Sequence, residues 1–301
     1  MNPAMSKSFI VILVVLTVFI TSGCAVSLRT GRTASSRLGA GSNEASIRHE
    51  GLNGTLWTQT SVEYEGVTRS IYSLATLRLE QALSDSMWTA SLEQLDSRGY
   101  SSLPPAVILD VDETVLDNSA FQARLIEDDS TYNQAIWRRW VLEEKATPVP
   151  GALEFTRYAD SRGVKVFYLT NRHSSLEKAT LNNLIAMGFP VDPYGDTIFT
   201  RGEIEAWRPS DKTPRREFIA NDYRILLLIG DNYGDFTGAS SGSLEERARS
   251  AEGFAPYWGK KWIVLPNAQY GSWEGALFDY RYRLSEVEKL DMKYKRLRTY
   301  R

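Results

Sequence analysis

The chain has 301 residues, and its 35 Lys and Arg against 37 Asp and Glu give a net charge of −2, which argues against general binding to polyanions such as nucleic acid polymers. A single cysteine excludes a disulfide within the chain, and with two histidines it leaves too few Cys and His ligands for a four-ligand zinc site. A hydrophobic content of 43% is enough for a sizeable core, so the chain is not disordered.

The first segment of the chain is predicted to be a signal peptide. Lys7 precedes an apolar run of 12 residues, Phe9–Ile20, and small residues follow it up to Cys24. Such a run would rise only about 18 Å as a helix, too little for roughly 30 Å of membrane hydrocarbon. A basic start, a short apolar run and small residues are typical of export, and Gly23-Cys24 resembles the cleavage point of bacterial lipoproteins.

The lipoprotein resemblance implies a signal peptide over residues 1–23 and a lipid on Cys24. It places the protein in the bacterial cell envelope, and Ala25 after the cysteine favours the outer membrane by the same resemblance. Residues 24–56 are rich in Ser, Gly, Thr and Arg without an apolar period, which predicts a flexible tether. The alternative is an incidental cysteine behind an uncleaved anchor.

Beyond the tether, helical and strand patterns alternate. Apolar residues recur at helical spacing from Ser61 to Leu95, and a highly charged surface helix is expected over Leu284–Arg301. Helical stretches also lie at Gly151–Ser161 and Ser174–Met187. Four short apolar runs end in polar, turn-forming residues: Ala106–Leu109, Val164–Leu169, Ile225–Ile229 and Trp262–Leu265. The pattern predicts an α/β fold over residues 57–301, with a mainly parallel sheet and helices on both faces.

Acidic residues follow two of the predicted strands. Asp110 and Asp112 lie two residues apart in an extended segment, so their side chains are expected to point the same way. Asp231 and Asp235 come just after the run that ends at Ile229. Because parallel strands deliver ligands at their carboxyl ends, we expect the four acids to converge. Mg²⁺, which prefers hard oxygen ligands, would offset their mutual repulsion.

Neighbouring residues suit phosphate chemistry. Thr170 and Asn171 follow the second run and offer a hydroxyl and an amide for phosphate oxygens, and Lys212 can neutralise phosphate charge. A carboxylate can act as the nucleophile of phosphoryl transfer, and a second one can act as general acid and then general base. Asp110 and Asp112 can divide these two roles.

These motifs together resemble a known family. Val107–Ser119 resembles the first motif of the haloacid dehalogenase superfamily, and more narrowly that of the class C nonspecific acid phosphatases. Thr170-Asn171-Arg172 is similar to the second motif, Lys212 to the third and Ile229–Phe236 to the fourth. The resemblance implies a Rossmann-like fold with a small helical cap at about residues 120–147. It further implies a Mg²⁺-dependent enzyme that hydrolyses phosphate monoesters, nucleoside monophosphates among them, best at mildly acidic pH.

The resemblance also assigns roles to residues. It implies that Asp110 is the nucleophile that forms a phospho-aspartyl intermediate and that Asp112 is the general acid and base. It implies that Mg²⁺ is held by the Asp110 carboxylate, the main-chain oxygen of Asp112 and Asp231, with Asp235 supporting the metal indirectly. Residues that would hold the phosphate are Thr170, Asn171 and Lys212.

Aromatic residues of the predicted cap leave alternatives open. Tyr132 and Tyr270 match positions where relatives place aromatic rings beside the leaving group, and stacking on a nucleobase tolerates any base. Both rings could equally be ordinary core. Trp137 and Trp140, three apart on a predicted helix, are expected in the core.

Two charged features invite a functional reading. His173 after the second motif is either a substrate or metal contact or a solvated loop residue. The pair Arg215-Arg216 is expected on a solvated face.

Two other functions compete with a phosphomonoesterase. One is a lipoprotein that only binds haem, nucleotides or a partner, but a pure binder has no need to gather repelling carboxylates. The other is phosphoryl transfer to another acceptor or a phosphoaspartate receiver, which export and Asp112 both disfavour. The expected partners are a small phosphomonoester and the membrane, reached through the lipid anchor. Relatives are often dimers, which leaves a homodimer open.

Overall fold

The computed structural model describes residues 49–97, 99–192 and 196–299. The predicted signal peptide, the lipid attachment at Cys24 and most of the predicted tether lie outside these residues. Within the described ranges, no helix combines the length and the apolar character that a membrane crossing requires.

A parallel sheet forms the centre of the fold. The strands are β1 (Pro105–Leu109), β2 (Leu116–Asp117), β3 (Thr147–Pro148), β4 (Lys165–His173), β5 (Ile198–Arg201), β6 (Arg224–Gly230) and β7 (Trp262–Val264). Five of them form one sheet in the order β5-β4-β1-β6-β7, and every neighbouring pair is parallel. β2 and β3 pair separately as a short antiparallel ribbon. The parallel sheet predicted from the apolar runs is confirmed, with β1 in its middle.

Helices cover both faces of the sheet. They are α1 (Leu52–Thr60), α2 (Val62–Ser84), α3 (Ser119–Glu127), α4 (Gln134–Leu142), α5 (Ala152–Ser161), α6 (Glu177–Met187), α7 (Thr213–Asp222), α8 (Leu244–Gly253), α9 (Ser272–Leu277) and α10 (Glu286–Lys295). Side chains alternate along β1, so Val107 and Leu109 enter one hydrophobic cluster while Ala106 and Ile108 enter the other. The two clusters are the two layers of core that the predicted architecture requires.

Some element boundaries differ from the prediction. The one or two helices expected over Ser61 to Leu95 are a single α-helix, α2, which ends at Ser84 because the chain turns at Asp85, whose side chain accepts the N–H of Met87 at 2.9 Å. The first helix begins at Leu52, inside the stretch predicted as a tether. The edge strand Ile198–Arg201 was not predicted, since only its first two residues, Ile198 and Phe199, are apolar.

The segment predicted as a cap is helical. It contains α3 and α4, which pack through Phe121 against Trp137, with ring centroids 5.0 Å apart. Trp137 and Trp140 are both buried, which confirms their predicted place in the core.

Candidate active site

Three carboxylates come together beyond the ends of β1 and β6. Asp110, Asp231 and Asp235 each offer an oxygen within 4.8 Å of the others. The two strands are adjacent in the sheet, and the Asp110 N–H still donates to the Ile229 carbonyl at 2.9 Å. Asp231 follows β6 directly, so the pairing of the strands brings the two acids to one point.

Asp235 is held in place by its own turn. Its Oδ2 accepts the Asn232 N–H at 2.9 Å, and the two residues form a reciprocal cap on one helical turn. This brings the carboxylate so close to Gly230 that a Cβ at that glycine would collide with it. The glycine is therefore required here by close approach rather than by an unusual backbone angle.

Lys212 lies between two of these carboxylates. It precedes α7, is only 3% exposed, and its Nζ pairs with Asp110 and, at 2.7 Å, with Asp235 Oδ1. These two carboxylates raise the pKa of Lys212 although burial alone would lower it. One buried ammonium thus pairs with two of the three carboxylates, and the group keeps an excess of negative charge when all are ionised.

The clustered negative charge contributes to raised pKa values of the acids. Burial, opposed by Lys212 and reinforced by Asp235 and Asp112, raises the pKa of Asp110 to about 7. Burial, followed by the Asp235 and Asp110 charges, holds the pKa of Asp231 well above its usual range. Oxygen-only ligands with uncompensated charge are the donor set that hard divalent cations such as Mg²⁺ prefer. The residues fit such a metal.

Asp112 lies in a different environment. Its Oδ1 accepts Arg172 Nη2 at 2.7 Å and Nε at 3.1 Å, and Asn118 Nδ2 at 2.9 Å. Its Oδ2 is approached by Thr170 Oγ1 and Arg172 Nε, at 3.4 and 3.3 Å. The Asp112 carboxylate therefore does not join the other three acids, contrary to the expected convergence of all four. The reason is that the chain leaves the extended conformation after β1 and turns, with Val115 N–H bonded to the Val111 carbonyl at 2.9 Å.

The turn that separates the acids is shaped by Glu113. This residue is buried, adopts a positive φ of 57°, and accepts the Asn118 N–H at 2.8 Å through Oε1. Burial, then the Asp112 and Asp231 charges, raises the pKa of Glu113 well above its usual range. Its side chain thus replaces a backbone partner inside the loop.

The predicted phosphate-binding residues lie beside the acids. Thr170 is buried, and its hydroxyl accepts the Arg172 N–H at 3.1 Å. Asn171 is exposed, and its Nδ2 donates to the Ser210 carbonyl at 2.9 Å while Oδ1 accepts Arg215 Nη2 at 2.7 Å. Both are thereby oriented at the end of β4, next to β1.

The prediction that Arg215 and Arg216 lie on a solvated face is wrong. Both are buried, at 0% and 1% exposure. Arg215 donates to the Thr170 carbonyl at 2.6 Å, and burial lowers its pKa to about 10. Arg216 pairs with the half-buried Glu93 at 2.9 Å and donates to the Asp235 carbonyl at 3.3 Å. A usable signal was present, because positions three and four after Lys212 share its side of a helix.

Sequence reasoning also missed three residues that hold the acids. Asn267 follows β7 and donates from Nδ2 to Asp231 Oδ2 at 2.8 Å, and Thr114 approaches Asp231 Oδ1 at 3.4 Å. Arg172, quoted only as part of the second motif, is the ion partner of Asp112. Their common signal is position, because each lies near the carboxyl end of a strand or in the turn after one.

The remaining candidates lie at the margin. Tyr132 is 60% exposed and its ring lies 6.4 Å from that of Trp137, so it is not core. Tyr270 is half-buried in the loop of Asn267, whose Oδ1 accepts its N–H at 3.4 Å. His173 is exposed at the last position of β4, and its Nδ1 accepts the Ser175 N–H at 3.1 Å.

Comparison with known proteins gives the family. A family model of the HAD superfamily, subfamily IIIB (acid phosphatase), matches residues 26–273. The class C acid phosphatase of Bacillus anthracis is 31% identical and superposes with a TM-score of 0.73, over 83% of this chain and 98% of that one. A second structure of that enzyme, with tungstate bound, is 30% identical and gives the same TM-score over 85% and 99% of the two chains.

More distant curated relatives come from plants. Acid phosphatase 1 of Solanum lycopersicum is 27% identical over 143 residues, 44% of this chain and 52% of that protein. A stem 31 kDa glycoprotein of Glycine max is 27% identical over 143 residues, 45% and 53% of the two chains. The chain thus spans about half the length of the curated relatives it matches.

Proposed function

The chain belongs to subfamily IIIB of the HAD superfamily, the acid phosphatases, and we propose that this phosphomonoesterase depends on Mg²⁺ and works through a phosphorylated Asp110. The observation that carries the proposal is the cluster of Asp110, Asp231 and Asp235 around the buried Lys212. A metal ion that takes part in phosphoryl transfer would offset the cost of gathering these like charges, which supports the proposal.

In the first step an Asp110 carboxylate oxygen forms a bond to phosphorus while the bond from phosphorus to the ester oxygen breaks. The departing oxygen takes a proton from Asp112 and leaves as the alcohol. Oδ2 of Asp112 is the atom for this transfer, because the shortest contacts from Arg172 and Asn118 occupy Oδ1.

In the second step a water molecule gives a proton to the Asp112 carboxylate and forms a bond to phosphorus. The bond from phosphorus to Asp110 breaks, which releases inorganic phosphate and restores the Asp110 carboxylate. Asp112 ends protonated, as it began, so the cycle balances.

A divalent cation would be held by the Asp110 and Asp231 carboxylates and the main-chain oxygen of Asp112, with Asp235 supporting it. When bound it neutralises the charge of the phosphoryl group and of the clustered acids. Lys212 supplies a fixed positive charge beside the same group, and Thr170 and Asn171 offer donors for phosphate oxygens. The tungstate bound by the Bacillus anthracis enzyme, a tetrahedral oxyanion, supports an anion site in this family.

The substrate class that we propose is the nucleoside monophosphates among other small monoesters. Tyr132 lies exposed beside the cap and Tyr270 lies half-buried in the loop that holds Asp231 through Asn267. Rings in these places would stack on a base without selecting its identity. Replacing either with Ala is expected to raise KM for a nucleotide more than for a small alkyl phosphate.

We also propose that the enzyme is anchored in the bacterial envelope by a lipid on Cys24. The support is the sequence pattern around Gly23-Cys24 alone. Mass spectrometry of the mature N-terminal peptide tests this. An acylated cysteine is expected, and an unmodified or uncleaved N-terminus would contradict it.

A substrate panel tests the activity. Purified protein lacking residues 1–24 is assayed with nucleoside monophosphates and p-nitrophenyl phosphate, with Mg²⁺ and with EDTA, from mildly acidic to neutral pH. Phosphate release that EDTA abolishes and Mg²⁺ restores is expected, with the highest rate at the acidic end. Turnover that EDTA leaves unchanged would contradict the metal dependence, and no release from any ester would contradict the activity.

A further inference from the structure

We propose that the cap helix α4 sets the position of the Asp112 carboxylate, with Trp140 acting through Asn118 and Trp137 acting through Arg172. The inference rests on the proposed role of Asp112 and adds positioning residues to it. The two tryptophans are core residues by burial, but each also touches a group that holds Asp112.

The first link is a chain of hydrogen bonds. The Trp140 indole N–H donates to Asn118 Oδ1 at 2.8 Å, and Asn118 Nδ2 donates to Asp112 Oδ1 at 2.9 Å. Asn118 is fully buried, and its own N–H is bonded to Glu113. The indole can only donate, so it fixes which end of the amide faces Asp112. The Asp112 carboxylate, which only accepts, and the Leu116 carbonyl, 3.4 Å from Nδ2, favour the same orientation, and the indole adds the contact that holds the other end of the amide.

The second link is through the face of an aromatic ring. The Arg172 guanidinium lies 5.5 Å from the centre of the Trp137 ring, a distance at which a cation is attracted to the ring. The same guanidinium donates from Nη2 and Nε to Asp112 and from Nη1 to Thr180 at 3.1 Å. Arg172 is 3% exposed, so its plane is confined by these contacts.

Both links position hydrogen-bond donors on the same oxygen of Asp112, Oδ1. Both residues that donate to Oδ1 contact α4, and the contacts to Oδ2, from Thr170 Oγ1 at 3.4 Å and Arg172 Nε at 3.3 Å, are longer, which favours Oδ2 for proton transfer. The same helix belongs to the segment inserted between β1 and β4 that the family resemblance identifies as the cap. Displacement of α4 would therefore disturb proton transfer as well as access to the site.

Matched Trp to Phe variants test the inference. Trp140→Phe removes the indole donor beside Asn118. Trp88→Phe is the control, because its buried indole donates to the Leu226 carbonyl at 2.8 Å, away from Asp112. Each variant is assayed on p-nitrophenyl phosphate, whose leaving group needs little protonation, and on an alkyl phosphate, whose leaving group needs it fully.

A misplaced general acid slows hydrolysis of the alkyl ester more than hydrolysis of p-nitrophenyl phosphate. For Trp140→Phe we expect kcat/KM to fall about 10- to 100-fold more on the alkyl phosphate than on p-nitrophenyl phosphate. Trp88→Phe is expected to change both esters equally or not at all. An equal loss on both esters in Trp140→Phe, or no loss, would overturn the inference.

A second variant covers the case in which Trp140→Phe does not fold. Asn118→Ala removes the intermediate amide and is expected to show the same selective loss. When both fold, the double variant is expected to lose no more than Asn118→Ala alone, since both act through one contact. Additive losses would contradict the link. Failure of the wild-type protein to hydrolyse either ester would instead contradict the proposed function.

Discussion

Asp110 and Asp112 are only two residues apart on the chain, but their carboxylates have different electrostatic environments. The cation pocket, which consists of Asp110, Asp231, Asp235 and Lys212, gathers three carboxylates around one ammonium. The Asp112 pocket pairs a single carboxylate with Arg172 and Asn118. The first pocket therefore keeps an excess of negative charge when all its groups are ionised, whereas the carboxylate of the second is paired within the protein.

The largest expected effect is loss of the nucleophile in the cation pocket. Asp110→Asn is expected to lower turnover of p-nitrophenyl phosphate by about 10⁴-fold or more. The fold should remain, because the change removes one of three repelling charges and keeps the shape. Circular dichroism and thermal unfolding check the fold, and near-normal hydrolysis would contradict the role of Asp110.

The next largest expected effect is on the free energy of unfolding and concerns Arg216, which contacts the backbone of the cation pocket at Asp235. Arg216 is buried and pairs with Glu93, whose side chain is 9% exposed, and it also donates to the Asp235 carbonyl. Arg216→Met leaves the Glu93 charge unpaired and is expected to lower the free energy of unfolding by about 3–5 kcal/mol. Urea unfolding measures it. Arg216→Met combined with Glu93→Leu should recover much of the loss, and no recovery would show that the pair itself is not the cause.

A smaller effect separates the two pockets directly. Asp231→Asn is expected to weaken Mg²⁺ binding by at least about tenfold. Asp112→Asn is expected to leave Mg²⁺ binding near its wild-type strength while it abolishes turnover, because its side chain lies outside the cation pocket. Calorimetric titration with Mg²⁺ measures binding without activity. Equal weakening in both variants would remove the distinction between the pockets.

The smallest expected effect is a pH dependence of the stability that Mg²⁺ confers. The pKa of Asp110 is raised from 3.8 to about 7, so the metal-free folded protein holds a proton that the unfolded chain releases. Stability of the metal-free protein from this group therefore falls as pH rises between those values, and the loss is complete above about pH 7.

Because Mg²⁺ binds the ionised carboxylate, the increase in Tm that Mg²⁺ causes should grow from about pH 5 to about pH 7. Thermal unfolding with and without Mg²⁺ at each pH measures the trend. Asp110→Asn is the control and should show a weaker trend. An increase in Tm that does not depend on pH would contradict the raised pKa of Asp110.

The sheet and the cation pocket could largely be predicted from the sequence. The sheet was predictable because four of its five strands are short apolar runs that end in turn-forming residues, and β5 was missed because only Ile198 and Phe199 in it are apolar. The cation pocket followed from acids placed after two such runs. Trp137 and Trp140 were correctly assigned to the core from helical spacing, which carries no information about where an indole N–H points.

The Asp112 pocket was not predictable in the same way. Arg172 reaches Asp112 across 60 positions of the chain, and Arg216 reaches Glu93 across 123. A charged residue buried by a distant partner looks in the sequence like any solvated charge. Spacing places backbone segments, whereas the pairing of long side chains depends on tertiary contacts that spacing does not encode.

Trapping of the intermediate tests the central claim most directly. Asp112→Asn slows discharge of a phosphoenzyme, so the variant is mixed with p-nitrophenyl phosphate and Mg²⁺ and then treated with borohydride, which reduces an acyl phosphate to an alcohol. Peptide mass spectrometry is expected to find homoserine at position 110 and an unchanged residue at 231 and 235. Reduction at another carboxylate, or none while phosphate is released, would contradict the account.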